Sequence, residues 1–498
     1  MKKKTDLLFI NSLSSLSVQV VAILSSFVVP KCILSAFGSA AYGTVESITG
    51  FLGFLTLLEA GVGSVSRAEL YEPVAKQDYA AISTVVNETK RFFTRIANIY
   101  LVSVLALGLV YPAIADNGEN FWFNFTLVLI VAAANLVQYY FGAGYVQVLY
   151  ADRKVYLLNF IQTAAYLMNC VIVLLCGLLG TSIHVMKLLS SLAFIVKPLF
   201  VNVYVRRHYR LTLNTPRSSR VLTQKWNNLL QTLAYYVHSK TDVVVLTLLS
   251  TVNSVSVYSV YALITTGLSS IVSSLCNGFT AQLGASYGIG DRQGVQEIFR
   301  KYDSFIFNLT VFLFTTASLL IVDFVKVYTL GIEDADYSQP VFAMLLILAE
   351  AVYCLRMPYN NMVLVAGHFK QTQYAALVEA AINIVVSVLL VKGFGLCGVA
   401  VGTLAAMLFR TVYLVVYLSK NILFLKLGLF FKKIAAVLFA AALAWGLKWL
   451  LSFQFRPITF FEWILEALAA SILVLLSCVI MNLIFYKRSP AGTTGKEV

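Results

Sequence analysis

Apolar runs of about 18 residues or more recur from one end of this chain to the other, each long enough to cross about 30 Å of hydrocarbon as an α-helix. That pattern leaves little freedom: the chain reads as an all-α polytopic membrane protein. Composition agrees, with 59% hydrophobic and only 12% charged residues over 498 positions and a mean hydropathy of +0.81. A soluble domain carries about 25% charged residues. Spans are predicted near 7–29, 43–65, 96–115, 122–150, 155–177, 183–205, 226–249, 257–284, 303–326, 341–366, 373–392, 398–418, 433–453 and 461–486, about 14 in all. The basic start resembles a signal peptide, but Asn11, Ser12, Ser14, Ser15, Ser17 and Gln19 break its apolar core, so it is read as the first helix.

The net charge of +14 comes from residues scattered through short loops, which argues against nucleic acid and for the positive-inside rule. With Met1 inside, about 27 of the 37 Lys and Arg face the cytoplasm, and the outward loops at 116–120 and 333–336 carry acids. Both termini are therefore expected in the cytoplasm of a multi-pass plasma (inner) membrane protein. The seven cysteines form no CxxC and no His-paired spacing, so neither a disulfide, a metal nor a cofactor is expected. Walker-type GxxxxGK[ST], HExxH and GxSxG are absent, which leaves ATP-driven transport and ordinary hydrolysis without support and no catalytic residue to assign. Gly288-Ile289-Gly290 is a turn.

The basic stretch after the sixth span divides the chain. It predicts a six-helix lobe at 1–210, a cytoplasmic linker at 211–225, a second six-helix lobe at 226–425, and two peripheral helices with a tail at 426–498. Residues 28–93 and 244–307 run in loose register at an offset of about 216, with Asp78 against Asp291. Six spans per lobe return the chain to the same side, so the lobes form a parallel pseudo-repeat, an arrangement known from transporters whose site lies between the halves.

Three features mark a polar pathway. The stretch QTLAYYVHSKTDVVVLTLL (231–249) sets His238, Lys240 and Asp242 inside an apolar span, where a charge costs roughly 2.5 to 3.5 kcal/mol. Counting residues from the span ends places Lys197, Lys240, Arg356 and Arg410 in the middle third, with Glu379 and Asn383 sharing a helix face at the depth of Arg410. Asn11, Ser15, Gln19 and Ser26 fall on one face of the first span, as the lining of a wet cavity or as a helix contact. The charges bind an anion or pair with one another, Glu379 with Arg410 and Lys240 with Asp242. Pro30, Pro198 and Pro358 are expected to end or kink spans. The last two spans, with Lys448, Glu462 and Glu466 near the outer edge, are expected to be dispensable to the pathway.

The segments LLEAGVGSVSRAELY (57–71), TDVVVLTLLSTVNSVSVYSVY (241–261), AGHFKQTQYAALVEAAINIVVSVLLV (366–391) and GFGLCGVAVGTLAAMLFRTVYLVVYLSKNIL (393–423) resemble the polysaccharide-biosynthesis flippases. These export undecaprenyl-diphosphate-linked repeat units and share a superfamily with lipid II flippases and MATE drug exporters. The resemblance implies two six-helix lobes around a cationic cavity and alternating access. Asp242, Gly367, His368, Thr372, Glu379, Asn383, Gly398, Gly402, Thr403 and Arg410 carry the family pattern.

The first expectation is therefore a flippase for a lipid-linked oligosaccharide, with Lys197, Lys240, Arg356 and Arg410 on the diphosphate. Asn11, Ser15, Gln19, Ser26 and Asn383 would line the cavity, and Asp242 and Glu379 would couple to H+ or Na+ or form ion pairs. Its expected partners are membrane lipids and, in the cell, a polysaccharide polymerase and glycosyltransferases. A cation-coupled multidrug exporter is the alternative, set against by the missing acid in the first span and the excess of buried cations. A membrane-embedded glycosyltransferase or polymerase lacks the large outer loop such an enzyme needs.

Overall fold

A computed structural model describes residues 2–59, 62–212, 240–424, 428–450 and 457–485. The described residues are almost entirely helical and include no strand. The helices are α1 (Lys2–Leu55), α2 (Val62–Lys76), α3 (Tyr79–Ile114), α4 (Phe121–Val137), α5 (Ala143–Ala151), α6 (Val155–Leu178), α7 (Ile183–His208), α8 (240–249), α9 (Val252–Gly288), α10 (Arg292–Tyr328), α11 (Pro340–Val365), α12 (Phe369–Asn421), α13 (Gly428–Leu450) and α14 (Phe460–Phe485). Eleven of the helical stretches among the described residues are long and apolar enough to cross a membrane. Of the expected linker, only Leu211 and Thr212 lie among the described residues; His238 lies outside them.

α1 and α12 each hold two of the expected spans, two helical segments that meet at one non-helical glycine. α1 reverses at Gly38 (φ 79°) and α12 at Gly395 (φ 53°). Both angles lie in the left-handed region that only glycine enters at no steric cost. None of the three prolines ends its helix: Pro30, Pro198 and Pro358 all lie inside one, and in α1 the one non-helical residue is Gly38. A proline removes one backbone donor but keeps a helical φ, so flanking turns can carry the helix through.

Helices overrun the apolar windows toward the basic loops. α3 begins at Tyr79 where hydropathy places a span from 96, and α10 begins at Arg292 where it places one from 303. Those extra turns carry Lys90, Arg91 and Arg95, or Glu297, Arg300 and Lys301, which are good helix formers invisible to a hydropathy window. Each begins at an aspartate cap: the Asp78 carboxylate accepts from the Ala80 and Ala81 amides, and Asp291 from Gly294.

The chain divides into two compact units, Met1–Ser259 with Gly331–Ala335, and Val260–Leu330 with Asp336–Val498. The internal repeat is written in the turns. Left-handed residues fall at Gln77 and Gly290, Gly118 and Gly331, Arg153 and Gly367, Gly180 and Gly395, in the same order along each half. The halves differ at two places among the described residues: α9 and α11 each run as one helix, whereas their counterparts are interrupted, α1–α2 by a 3-10 turn at Thr56–Glu59 and α4–α5 by a π-helical turn at Gln138–Gly142.

In the first unit a core joins Leu70 of α2, Val85 and Val86 of α3, Leu149 of α5 and Val201 and Val205 of α7. The second half of α1 packs on α8 and the start of α9: a Cβ at Gly43 would fall on the Val252 carbonyl, and the Thr247 hydroxyl donates to Ser47 Oγ at 2.7 Å. In the second unit, Ala436, Ala440 and Ala444 give α13 a small-residue face against α10 and α14. Lys448 bonds Glu466 at 3.0 Å and the Leu319 carbonyl at 2.8 Å, and Asn482 donates to Asn308 at 2.8 Å. The charge inventory for these helices also includes Lys433, which forms an ion pair with Asp303 of α10.

Candidate functional site

The second unit gathers most of the buried polar residues singled out in the sequence. Glu379 on α12 sits between two arginines: Arg356 Nη1 of α11 donates to Oε1 at 2.5 Å, and Arg410 Nε lies 3.7 Å from Oε2. Arg410 Nη1 also donates to the Thr372 carbonyl at 2.8 Å, and the Arg356 guanidinium lies 5.2 Å from the Tyr353 ring centre. All three charged side chains are buried. The expected Glu379–Arg410 pair is present, but the shorter contact goes to Arg356.

Glycines set that geometry. After the reversal at Gly395, Gly398 and Gly402 face the first half of α12 so closely that a Cβ at Gly398 would meet the Leu390 carbonyl at 2.5 Å, and one at Gly402 would overlap Ser387 Oγ. Close approach then brings Asn383 Nδ2 to Thr403 Oγ1 at 2.9 Å and Ser387 Oγ to the Val399 carbonyl at 3.3 Å. The hairpin is bolted by polar contacts along its length, with Arg410 and Glu379 one step further on.

The first unit treats its half-buried charges differently. Lys197 donates to the neutral Gln162 at 2.8 Å. The Lys240 stem lies against Gly53, whose missing side chain leaves it room. Glu46 of α1 has Lys187 of α7 and Lys240 of α8 as its charged neighbours, yet among the described residues no ion pair or hydrogen bond ties any of the three down. Each keeps part of its surface open. Asp242, two residues on from Lys240, instead accepts from the Tyr258 hydroxyl at 2.9 Å.

The polar face of the first span splits. Asn11 Nδ2 donates to the Arg153 carbonyl and Asn11 Oδ1 accepts from the Tyr156 amide, both at 2.8 Å, while Asn159 donates to Ser15 at 2.9 Å. Asn11 and Ser15 thus fasten α1 to the turn before α6 and to α6 itself, the helix-contact reading. Gln19 and Ser26 are exposed, and the Ser26 hydroxyl bonds only its own helix at the Ile23 carbonyl.

Sequence reasoning missed Glu46, Lys187 and Glu350. Glu350 accepts from Ser269 Oγ at 2.7 Å. The span containing Glu46 was expected from residue 43, whereas the helix carrying it begins at Ser39, just past Gly38. With Glu350 included, Arg356 and Arg410 face two acids in the second unit; in the first, the half-buried Lys187, Lys197 and Lys240 stand against Glu46, Glu59 and Asp242.

No family model and no curated protein matches the sequence. Solved structures are similar in fold. The lipid II flippase MurJ in an inward closed conformation matches with a TM-score of 0.70 at 14% identity, over 96% of this chain and 99% of its own. An inward-facing MATE-family multidrug resistance transporter of the MOP superfamily matches at 0.66 and 14%, over 82% and 98%. A MOP superfamily transporter from Pyrococcus furiosus, described as having a binding pocket of reversed polarity, matches at 0.56 and 13%, over 83% and 95%. The chain is a multi-pass all-α membrane protein with the fold of the MOP superfamily transporters.

Proposed function

We propose that the protein is a flippase that carries a lipid-linked oligosaccharide with an anionic diphosphate, of the undecaprenyl type, across the plasma membrane by alternating access for surface polysaccharide synthesis. The observation that carries this reading is the set of lysines in the first unit. Lys187 and Lys240 share one carboxylate that neither contacts, and Lys197 has only a neutral partner. A cation held in low dielectric without a paired anion favours an anionic ligand. The diphosphate is assigned to Lys187, Lys197 and Lys240. Arg356 and Arg410, already engaged by Glu379, hold α11 and α12 together. The likeness to MurJ over 96% of the chain, against 82% for the MATE transporter, supports the lipid-linked substrate. A negative interior assists outward movement of such an anion by about 2.3 kcal/mol per charge per 100 mV.

Glu46 favours a second reading, a cation-coupled drug exporter, because it supplies an embedded acid that the first span lacks. The test is the Lys187→Gln, Lys240→Gln double variant, scored for surface polysaccharide and for membrane abundance. The flippase reading expects normal abundance with polysaccharide reduced by about tenfold or more, the size of one lost charge-assisted hydrogen bond. Wild-type levels of both would refute it, and extrusion of a cationic dye by the purified protein would establish the second reading.

A further inference from the structure

The outer face of the second half of α12 carries an apolar groove of about 650 Å³, running from Leu408 and Phe409 through Val412, Tyr413 and Val416 to Lys420. Leu408 and Val412 are 47% and 50% exposed. The aromatic rings along it are ordered. Phe409 stacks on Tyr413 and Tyr413 on Tyr417, with centroids 6.4 and 6.1 Å apart. Their hydroxyls are tied to the other half of the hairpin: Tyr413 donates to the Gln371 carbonyl at 3.3 Å, and Tyr417 bonds His368 Nδ1 at 2.8 Å. The rings therefore form a tied, half-buried ladder along the groove.

The groove has a length and a polarity. From Leu408 to Asn421 the helix rises about 20 Å at 1.5 Å per residue. That matches one leaflet, half of a core of about 30 Å plus its headgroup layer. At the end where the chain meets the basic loops, Lys420 and Lys370 are both exposed, and neither has a partner among the described residues. Neither 366–374 nor 408–424, the two stretches of the hairpin at that end, contains an aspartate or glutamate. Lys420, which lines the groove, and Lys370, between His368 and Gln371 that bond Tyr417 and Tyr413, set two ammonium groups at one end of an apolar aromatic channel, complementary to an anion with a hydrocarbon tail.

We propose that this groove seats one anionic phospholipid of the leaflet facing the basic loops, an acyl chain lying along Phe409, Tyr413 and Tyr417 and the phosphodiester held by Lys420 and Lys370. The occupant braces the open side of the hairpin whose inner side carries Arg410. This seat is independent of the transported substrate.

The experiment is native mass spectrometry of the purified full chain titrated with phosphatidylglycerol and with phosphatidylcholine. The wild type retains one phosphatidylglycerol in preference to phosphatidylcholine. Lys370→Gln with Lys420→Gln lies wholly on the surface and removes that preference, with a loss of about fivefold per lysine, the equivalent of ~1 kcal/mol each near a membrane surface. Val412→Trp fills the channel and lowers retention of both lipids. Equal retention of the two lipids by the wild type, or unchanged retention by the lysine double variant, overturns the proposal. Displacement of phosphatidylglycerol by equimolar polyprenyl phosphate also overturns it, by giving the groove to the carrier lipid.

Discussion

The two units bury charge in opposite ways. In the second unit, Glu379 is flanked by Arg356 and Arg410, and α11 and both halves of α12 are joined through one carboxylate. In the first, Glu46 has Lys187 and Lys240 within electrostatic reach but no contact with either. The difference follows side-chain chemistry. A guanidinium is planar and always charged, with donors to spare for a carboxylate and a carbonyl together, whereas an ammonium on a flexible stem is a point charge that can change partners. Here Arg356 and Arg410 are both tied to one carboxylate, whereas half-buried Lys187 and Lys240 have no contact with theirs; the lysines of the second unit, Lys433 and Lys448, are paired with Asp303 and Glu466. Depth alone does not distinguish the two arrangements.

Replacing Glu379 tests the joint most severely. Glu379→Gln leaves two buried guanidinium groups without their anion and is expected to cost about 3 to 5 kcal/mol, the range for breaking a buried ion pair from one side. Membrane abundance and thermal unfolding of the purified protein measure it. Glu379→Leu combined with Arg356→Met and Arg410→Leu should recover much of that loss, because removing every partner leaves no orphan charge. If Glu379→Gln unfolds at the wild-type temperature, the arginines are not a joint and the contrast between the units fails.

Gly402→Ala comes next, at about 1 to 3 kcal/mol, because its Cβ would overlap Ser387 Oγ and lie 2.8 Å from the Ser387 backbone nitrogen, forcing the hairpin apart. The same unfolding assay reads it, and an unchanged melting temperature would mean the two halves of α12 can separate freely.

A smaller effect is expected at Asp334. Its carboxylate accepts from the Ser39 amide at 2.7 Å and the Ser39 hydroxyl at 2.6 Å, capping the second half of α1 within the first unit. Asp334→Ala removes that cap at a cost of about 1 kcal/mol. Faster amide hydrogen exchange over residues 39–46 should reveal it, and unaltered exchange there would exclude a capping role.

The least effect on stability is expected for Lys240→Gln and Lys187→Gln, within about 0.5 kcal/mol of wild type, because neither has an ion pair or hydrogen bond to lose among the described residues and glutamine keeps most of the stem. If either variant proves as destabilising as Glu379→Gln, the first unit's lysines are structural too and the two units are alike.

Much of the architecture was legible in the residues because it depends on local properties. Span length, loop charge and the aspartates before α3 and α10 report directly on what lipid, membrane potential and an open helix end require. The Glu379–Arg410 relation was visible as a shared depth on neighbouring spans. Arg356 as the closer partner was not, since α11 and α12 meet side by side through packing that no spacing encodes. Asn11 and Ser15 show the same limit: their four-residue spacing is equally suited to a wet wall or a helix seam, and only the positions of Asn159 and the Arg153 carbonyl resolve it.

The sequence by itself determined that this is a helical membrane protein with a repeated plan, because hydrophobic length and turn chemistry act one segment at a time. Only the tertiary structure decided which buried charges are spoken for. Pairing is a property of distances between side chains far apart in the chain, and a shift of one helical turn is enough to exchange an ion pair for an open cation.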